Sequence, residues 1–182
     1  MDAFYCAGNW KMNKTPREAA EFMRHLKENS RPEEQGSLVI LPPALVAHSV
    51  AEGLQGTGIT WGGQNCYFEG KGAFTGENSP EVLKEMGASF CLVGHSERRQ
   101  IFAEGDELLT QKVRAVQATG MIPILCVGET MDDRRWNRTE EVIVRQTRVG
   151  LAEADPDRPI WLAYEPIWAI GTGQVATPGQ VE

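Results

Sequence analysis

The sequence predicts an α/β fold of the (β/α)₈ barrel type, and three observations carry the prediction. Short apolar runs alternate with amphipathic helical stretches about six times along the 182 residues, which implies a parallel sheet with right-handed crossovers. Most of the runs are continuously apolar, as strands covered on both faces are. Residues suited to chemistry follow several different runs, and a barrel turns all its strand ends to one mouth. The competing arrangement is an open doubly wound sheet. Its Gly-x-Gly-x-x-Gly fingerprint is missing after the first run.

The elements follow in order. Residues 4–7 are the first strand, and Thr15-Pro16-Arg17-Glu18 opens a helix with a hydroxyl cap, a first-turn proline and a glutamate placed to close a capping box. Ala19, Phe22, Met23 and Leu26 share one face of that helix. Leu38–Leu41 and residues 59–61 are the next strands, and Ser79-Pro80-Glu81 repeats the cap and proline. Phe90–Val93 is the fourth strand, Leu109, Val113 and Val116 mark a helix face, and Ile122–Val127 and residues 160–163 are the last two strands. Thr177-Pro178-Gly179-Gln180-Val181-Glu182 announces a further helix, with glutamine at the capping-box position. A barrel of this type runs to about 250 residues. The expectation is therefore one domain over residues 1–182 with about six of the eight βα units, a piece of a longer protein, its first and sixth strands left as unpaired edges.

Composition narrows the function. A formal net charge of −7 with only short basic pairs at Arg98-Arg99 and Arg134-Arg135 argues against nucleic acid, whose phosphates are held by basic patches. A small anionic ligand needs only one or two local cations or backbone amides. No basic leader precedes a long apolar core, and no stretch is long enough to span a bilayer. Cys6, Cys66, Cys91 and Cys126 form no paired motif and read as reduced core residues of a cytoplasmic protein. His25, His48 and His95 lack ligand spacing, so no metal is expected. His25 and His48 read as solvated or helix-packing side chains.

The residues that suit chemistry are few. Ala163-Tyr164-Glu165-Pro166-Ile167-Trp168-Ala169-Ile170-Gly171-Thr172-Gly173 sets one carboxylate at the end of an apolar strand and follows it with a greasy, glycine-hinged loop. Exclusion of water by Ile167, Trp168, Ala169 and Ile170 would raise the Glu165 pKa toward that of a working base. Pro166 stiffens the near end of the loop, and Gly171 and Gly173 suit its far hinge. His95 sits where a strand hands over to a helix or turn, and a helix N-terminus disfavours the imidazolium form, so a neutral, hydrogen-bond-donating ring is expected. Asn9 and Lys11 follow the first strand. If strand alternation persists they share a side and bring an amide and a cation to an anionic substrate and its developing oxyanion. Glu97 reads equally as a support for catalysis or as a salt-bridge partner of Arg98 or Arg99, and Glu129 as a lid or scaffold contact. Two or three mouth carboxylates and five tryptophans also fit a glycoside hydrolase; an inactive, incomplete scaffold is the non-enzymatic alternative.

Gly8-Asn9-Trp10-Lys11-Met12-Asn13, Val93-Gly94-His95-Ser96-Glu97-Arg98-Arg99 and the segment around Glu165 occur in this order, and with them the chain closely resembles the triose-phosphate isomerase family. Gln64-Asn65, Gly72-Ala73-Phe74-Thr75-Gly76-Glu77 and Pro123-Ile124-Leu125-Cys126-Val127-Gly128-Glu129-Thr130 add to the likeness, which runs nearly end to end. The resemblance implies interconversion of dihydroxyacetone phosphate and glyceraldehyde 3-phosphate through an enediolate, a step of glycolysis and gluconeogenesis, with no cofactor or metal. It implies Glu165 as base, His95 as neutral electrophile, Lys11 and Asn9 as substrate-binding groups, Glu97 as support beside Lys11, and Ser96 as a partner of Glu165. The loop 166–173, Thr172 included, would close over the intermediate, with the Gly171 amide on the phosphate. Phe74, Thr75 and Gly76 would enter a partner subunit near its Lys11 and His95, giving a homodimer. The phosphate-binding loops after the last two strands of such barrels are not in this sequence, so the 182 residues alone are expected to turn over little or not at all.

Overall fold

The computed structural model describes residues 4–31, 34 and 36–180. Six parallel strands form one curled sheet in the order β1 to β6: β1 Cys6–Asn9, β2 Leu38–Leu41, β3 Thr60–Gly63, β4 Phe90–Val93, β5 Ile122–Val127 and β6 Trp161–Tyr164. Each strand pairs with the next in the chain, so β1 and β6 are the edges of a partial barrel. The principal crossover helices are α1 Pro16–Asn29, α2 Ala47–Gly53, α3 Pro80–Glu85, α5 Asp106–Ala118 and α7 Thr139–Gly150; two short helices, α4 Ser96–Gln100 and α6 Met131–Arg135, follow β4 and β5.

The continuous apolar strands β2 to β5 have the cause the sequence implies, because both faces of the sheet are covered there. Val39, Leu41, Phe90, Leu92, Ile124 and Cys126 pack together on the inner face with Trp161 and Ala163. The alternate residues Ile40, Cys91, Val93, Leu125 and Val127 pack outward against Ala19, Met23, Val50, Leu109, Val113 and Val116 of the helices. Trp161 stacks at 4.7 Å on Tyr5 and at 4.5 Å on Phe90, so it is a core side chain of the inner face.

The helix starts follow the written caps. Thr15 and Glu18 close a capping box on α1, and the Ser79 hydroxyl accepts the Val82 N–H on α3. At the far end, Gln180 Oε1 accepts the Thr177 N–H, and Pro178–Gln180 forms a 3₁₀ turn; Val181 and Glu182 lie outside the described residues. Three strands shift from expectation at both ends: β1 runs Cys6–Asn9, β3 Thr60–Gly63 and β6 Trp161–Tyr164. Register with the neighbouring strand decides these limits, as in the pairs Gly8 with Ile40 and Asn9 with Leu41. Cys6 is also exposed, not a core residue, because it lies on the open edge; Cys66, Cys91 and Cys126 are buried and all four thiols are free.

Candidate active site

The C-terminal ends of β1, β3, β4 and β6 bring the polar residues together. His95 caps α4, and its Nδ1 accepts the Glu97 N–H at 3.3 Å. That bond makes Nδ1 the unprotonated nitrogen and leaves the proton on Nε2, a tautomer assigned from the hydrogen bonding. Nε2 stands 3.1 Å from Glu165 Oε1. A second carboxylate oxygen, Glu97 Oε2, lies 3.5 Å from Nδ1, a length at which the amide contact governs the ring. Ser96 also meets Glu165, through its backbone: its N–H donates to Oε2 at 2.9 Å.

Lys11 Nζ bonds Glu97 Oε1 at 2.8 Å, which links the β1 and β4 ends. The open choice for Glu97 thus resolves to Lys11 and His95, while Arg98 bonds Glu104 and Arg99 bonds Asp106. The alternation expected between Asn9 and Lys11 does not persist. Strand β1 ends at Asn9, and Lys11 takes φ 51°, a left-handed conformation costly for a lysine. It is held there by Asn9 Oδ1, which accepts the Lys11 N–H at 2.9 Å, and by Gln64 Nε2, which donates to the Lys11 and Leu41 carbonyls at 2.9 and 2.8 Å. With its oxygen so engaged, Asn9 presents its NH₂ as the free donor end. Asn9, Lys11, Gln64, Asn65, His95 and Glu97 line a cavity of about 320 Å³.

Glu165 follows β6, and its N–H bonds the Val127 carbonyl at 2.8 Å. Gly128 is required beside it, since a Cβ there would fall on the Glu165 carbonyl oxygen. Trp168 of the loop 166–173 is buried, and its indole donates to Glu129 Oε1 at 2.9 Å; Glu129 is fully buried and needs donors. Arg134 at 2.9 Å and the Tyr164 hydroxyl at 3.1 Å bond the same oxygen; burial and the Glu129 carboxylate push the Tyr164 phenol up. Within the loop, Ala169 N–H bonds the Pro166 carbonyl, Ile170 N–H that of Ile167, and the Thr172 hydroxyl that of Trp168. Gly171 and Gly173 take φ +71° and +78° with open space around them, so the far end carries the backbone freedom a hinge needs.

Phe74, Thr75 and Gly76 lie on the exposed loop after β3, with Phe74 stacked 4.5 Å from Tyr67. The sequence offers Arg99 only as a salt-bridge partner of Glu97 and gives Lys112 no role. Lys112 is buried and bonds Glu104 and Asn65; the one sequence signal is a charge set beside the apolar stripe of Leu109, Val113 and Val116.

A carboxylate and an imidazole in contact, with a cation beside them at the mouth of a parallel α/β barrel, define an enzyme of the proton-transfer class. The profile of the triosephosphate isomerase family matches residues 4–182. Relatives named triosephosphate isomerase include one from Bdellovibrio bacteriovorus, 50% identical over 96% of this chain and 72% of its own length. Those of Roseiflexus sp. and Carboxydothermus hydrogenoformans are 47% and 44% identical, over 97% and 98% of this chain and 70% and 72% of theirs. The chain belongs to the triosephosphate isomerase family, and its function is that isomerisation. The comparisons lend nothing to the glycoside hydrolase reading. Among the described residues no helix is long and apolar enough to cross a membrane.

Proposed function

We propose that Glu165 and His95 carry the interconversion of dihydroxyacetone phosphate and D-glyceraldehyde 3-phosphate as base and electrophile. The observation that supports this most is the 3.1 Å approach of His95 Nε2 to Glu165 Oε1 with Lys11 on the same mouth. Glu165 leaves Ser96 and His95 to take the proton from the carbon beside the carbonyl. The C–H electrons form the C=C bond of the enediolate, and the carbonyl electrons pass to oxygen, where the His95 Nε2–H meets them. The protonated Glu165 returns its proton to the neighbouring carbon, and the imidazole moves a proton between the two oxygens. Lys11 offsets the phosphate and enediolate charge, the Asn9 NH₂ donates to the substrate oxygens, and Glu97 holds Lys11 in place. The loop 166–173 closes on substrate, exchanges the Trp168–Glu129 bond for a cover over the carboxylate, and brings the Gly171 amide to the phosphate. Closure expels water and protects the intermediate from losing phosphate. His95→Gln tests the assignment in a coupled triose-phosphate assay. A loss of about 100- to 10,000-fold in kcat is expected for a removed acid–base group; an unchanged kcat contradicts it.

A homodimer is part of the same proposal. Met12 and Phe102 are large, exposed apolar residues lining the Lys11 cavity, exposed Leu45 follows its lining residue Ala44, and the loop carrying Phe74, Thr75 and Gly76 is of a length to enter a partner there. The four free thiols favour a reducing, cytoplasmic setting. The 182-residue chain by itself is proposed to turn over little or not at all, because its sheet is open between β1 and β6.

A further inference from the structure

The residue that fixes the spacing of His95 and Glu165 lies behind both. We propose that Arg99 is a positioning residue whose guanidinium fork locks the β4 end, which carries His95, to the β5 end, which registers Glu165. The inference rests on the reading of those two residues as the reacting pair.

The Arg99 side chain is only 12% exposed and bonds on three sides. Nε donates to the Gly94 carbonyl at 2.9 Å, one terminal nitrogen to the Cys126 carbonyl at 3.1 Å, and the other to Asp106 Oδ1 at 2.5 Å. Gly94 is the residue before His95 and takes φ +72°. A Cβ at Gly94 would stand 2.6 Å from Leu109 and 3.2 Å from the guanidinium, so the turn that aims the imidazole is packed directly on Arg99. Cys126 lies on β5, whose register with β6 pairs it with Ala163 and Val127 with Tyr164. The Val127 carbonyl then takes the Glu165 N–H. Ladder pairing of β4 with β5 ends at Val93 and Leu125. Past that point the guanidinium bridges the two strands, and the imidazole–carboxylate distance depends on it.

A planar fork reaches two carbonyls and a carboxylate at once, whereas an ammonium is a single point with no such span. Asp106 holds the fork from outside and is itself held by Arg145 on α7. Two roles are thereby separable, since the bonds to Gly94 and Cys126 position the strand ends and the bonds to Asp106 add stability.

Histidine-labelled ¹⁵N NMR on the 182-residue chain separates them, with His95→Gln assigning the signal. The readout is the His95 Nε2–H proton, held downfield and slow to exchange by its bond to Glu165. Arg99→Lys, which keeps the charge, and Arg99→Met are expected to lose that proton to rapid exchange. Asp106→Asn is expected to keep it while lowering the melting temperature. Retention in Arg99→Lys, or equal loss in Asp106→Asn, overturns the proposal; should Arg99→Met not fold, the other two variants still decide. The signal reports a bond and not turnover, so a failure of the isomerase reading leaves this outcome unchanged.

Discussion

Lys11, whose charge the sequence places at the mouth, takes a backbone geometry that local sequence does not announce. Its Nζ pairs with Glu97 while both side chains remain about two-fifths exposed, at 39% and 42%, so the pair contributes at most about 1 kcal/mol to folding. Its cost is the left-handed backbone, which Asn9 and Gln64 hold open. Lys11→Met is therefore expected to leave the melting temperature nearly unchanged and to weaken binding of 2-phosphoglycolate. Charged hydrogen bonds contribute about 1.5–3 kcal/mol, which is about 10- to 100-fold in Kd; calorimetry reads it. Cysteine reactivity is a second residue-scale outcome. Burial pushes the Cys126 thiol well up, and the Glu165 carboxylate beside it pushes in the same direction; contact with Cys66, together with burial, does so for Cys91. In the folded chain iodoacetamide should label the exposed Cys6 first, with Cys91 and Cys126 reacting only on unfolding; mass spectrometry of timed samples checks this. His95 and Glu165 were legible in the sequence because each ends an apolar strand. The Arg99–Cys126 and Lys112–Asn65 bonds were not, because the partners stand 27 and 47 residues apart.

At the scale of elements, caps and strand order were the most legible features, since both are written locally. Thr15 and Glu18 close the box that begins α1, and Thr130 and Asp133 close another on α6. The Thr15 backbone N–H and then its hydroxyl hold Glu18 below the usual carboxylate range, and the Thr130 hydroxyl and then its N–H do the same for Asp133. A carboxylate depressed in the folded state stabilises it fully above the ordinary unfolded value, and that contribution is lost as pH falls through the depressed one. Thr15→Ala should therefore lower stability by about 1 kcal/mol near neutral pH and by less in acid. Its melting temperature should fall less steeply than the parent's as pH drops from 6 toward 3 (~6 to ~3, spanning the carboxylate range). The extent of β1 was less legible, because inter-strand register sets it; Glu129, read as a lid or scaffold contact, bonds Trp168 because a buried carboxylate needs donors.

The whole molecule is a curled sheet with two open edges and an apolar rim around its mouth. Leu162 and Tyr5, at the open edges, are 53% and 46% exposed, and Met12 and Leu45, near the cavity, 96% and 95%. Such surface favours self-association, and sedimentation equilibrium on the chain should show a dimer that Phe74→Asp weakens; a monomer at every concentration would contradict the partner-loop reading. The barrel class was legible because strand, helix and strand repeat with chemistry at successive strand ends. The arrangement of its outer clamps was not, because a guanidinium fork is defined only once three elements meet. The most direct measurement of the central claim is deuterium incorporation from D₂O into dihydroxyacetone phosphate, followed by NMR for the 182-residue chain and for Glu165→Gln. It registers proton removal even where net turnover is slow. The predicted result is exchange above the protein-free rate in the parent and a fall of about 100-fold or more in Glu165→Gln; exchange undiminished by the substitution would contradict a base at Glu165.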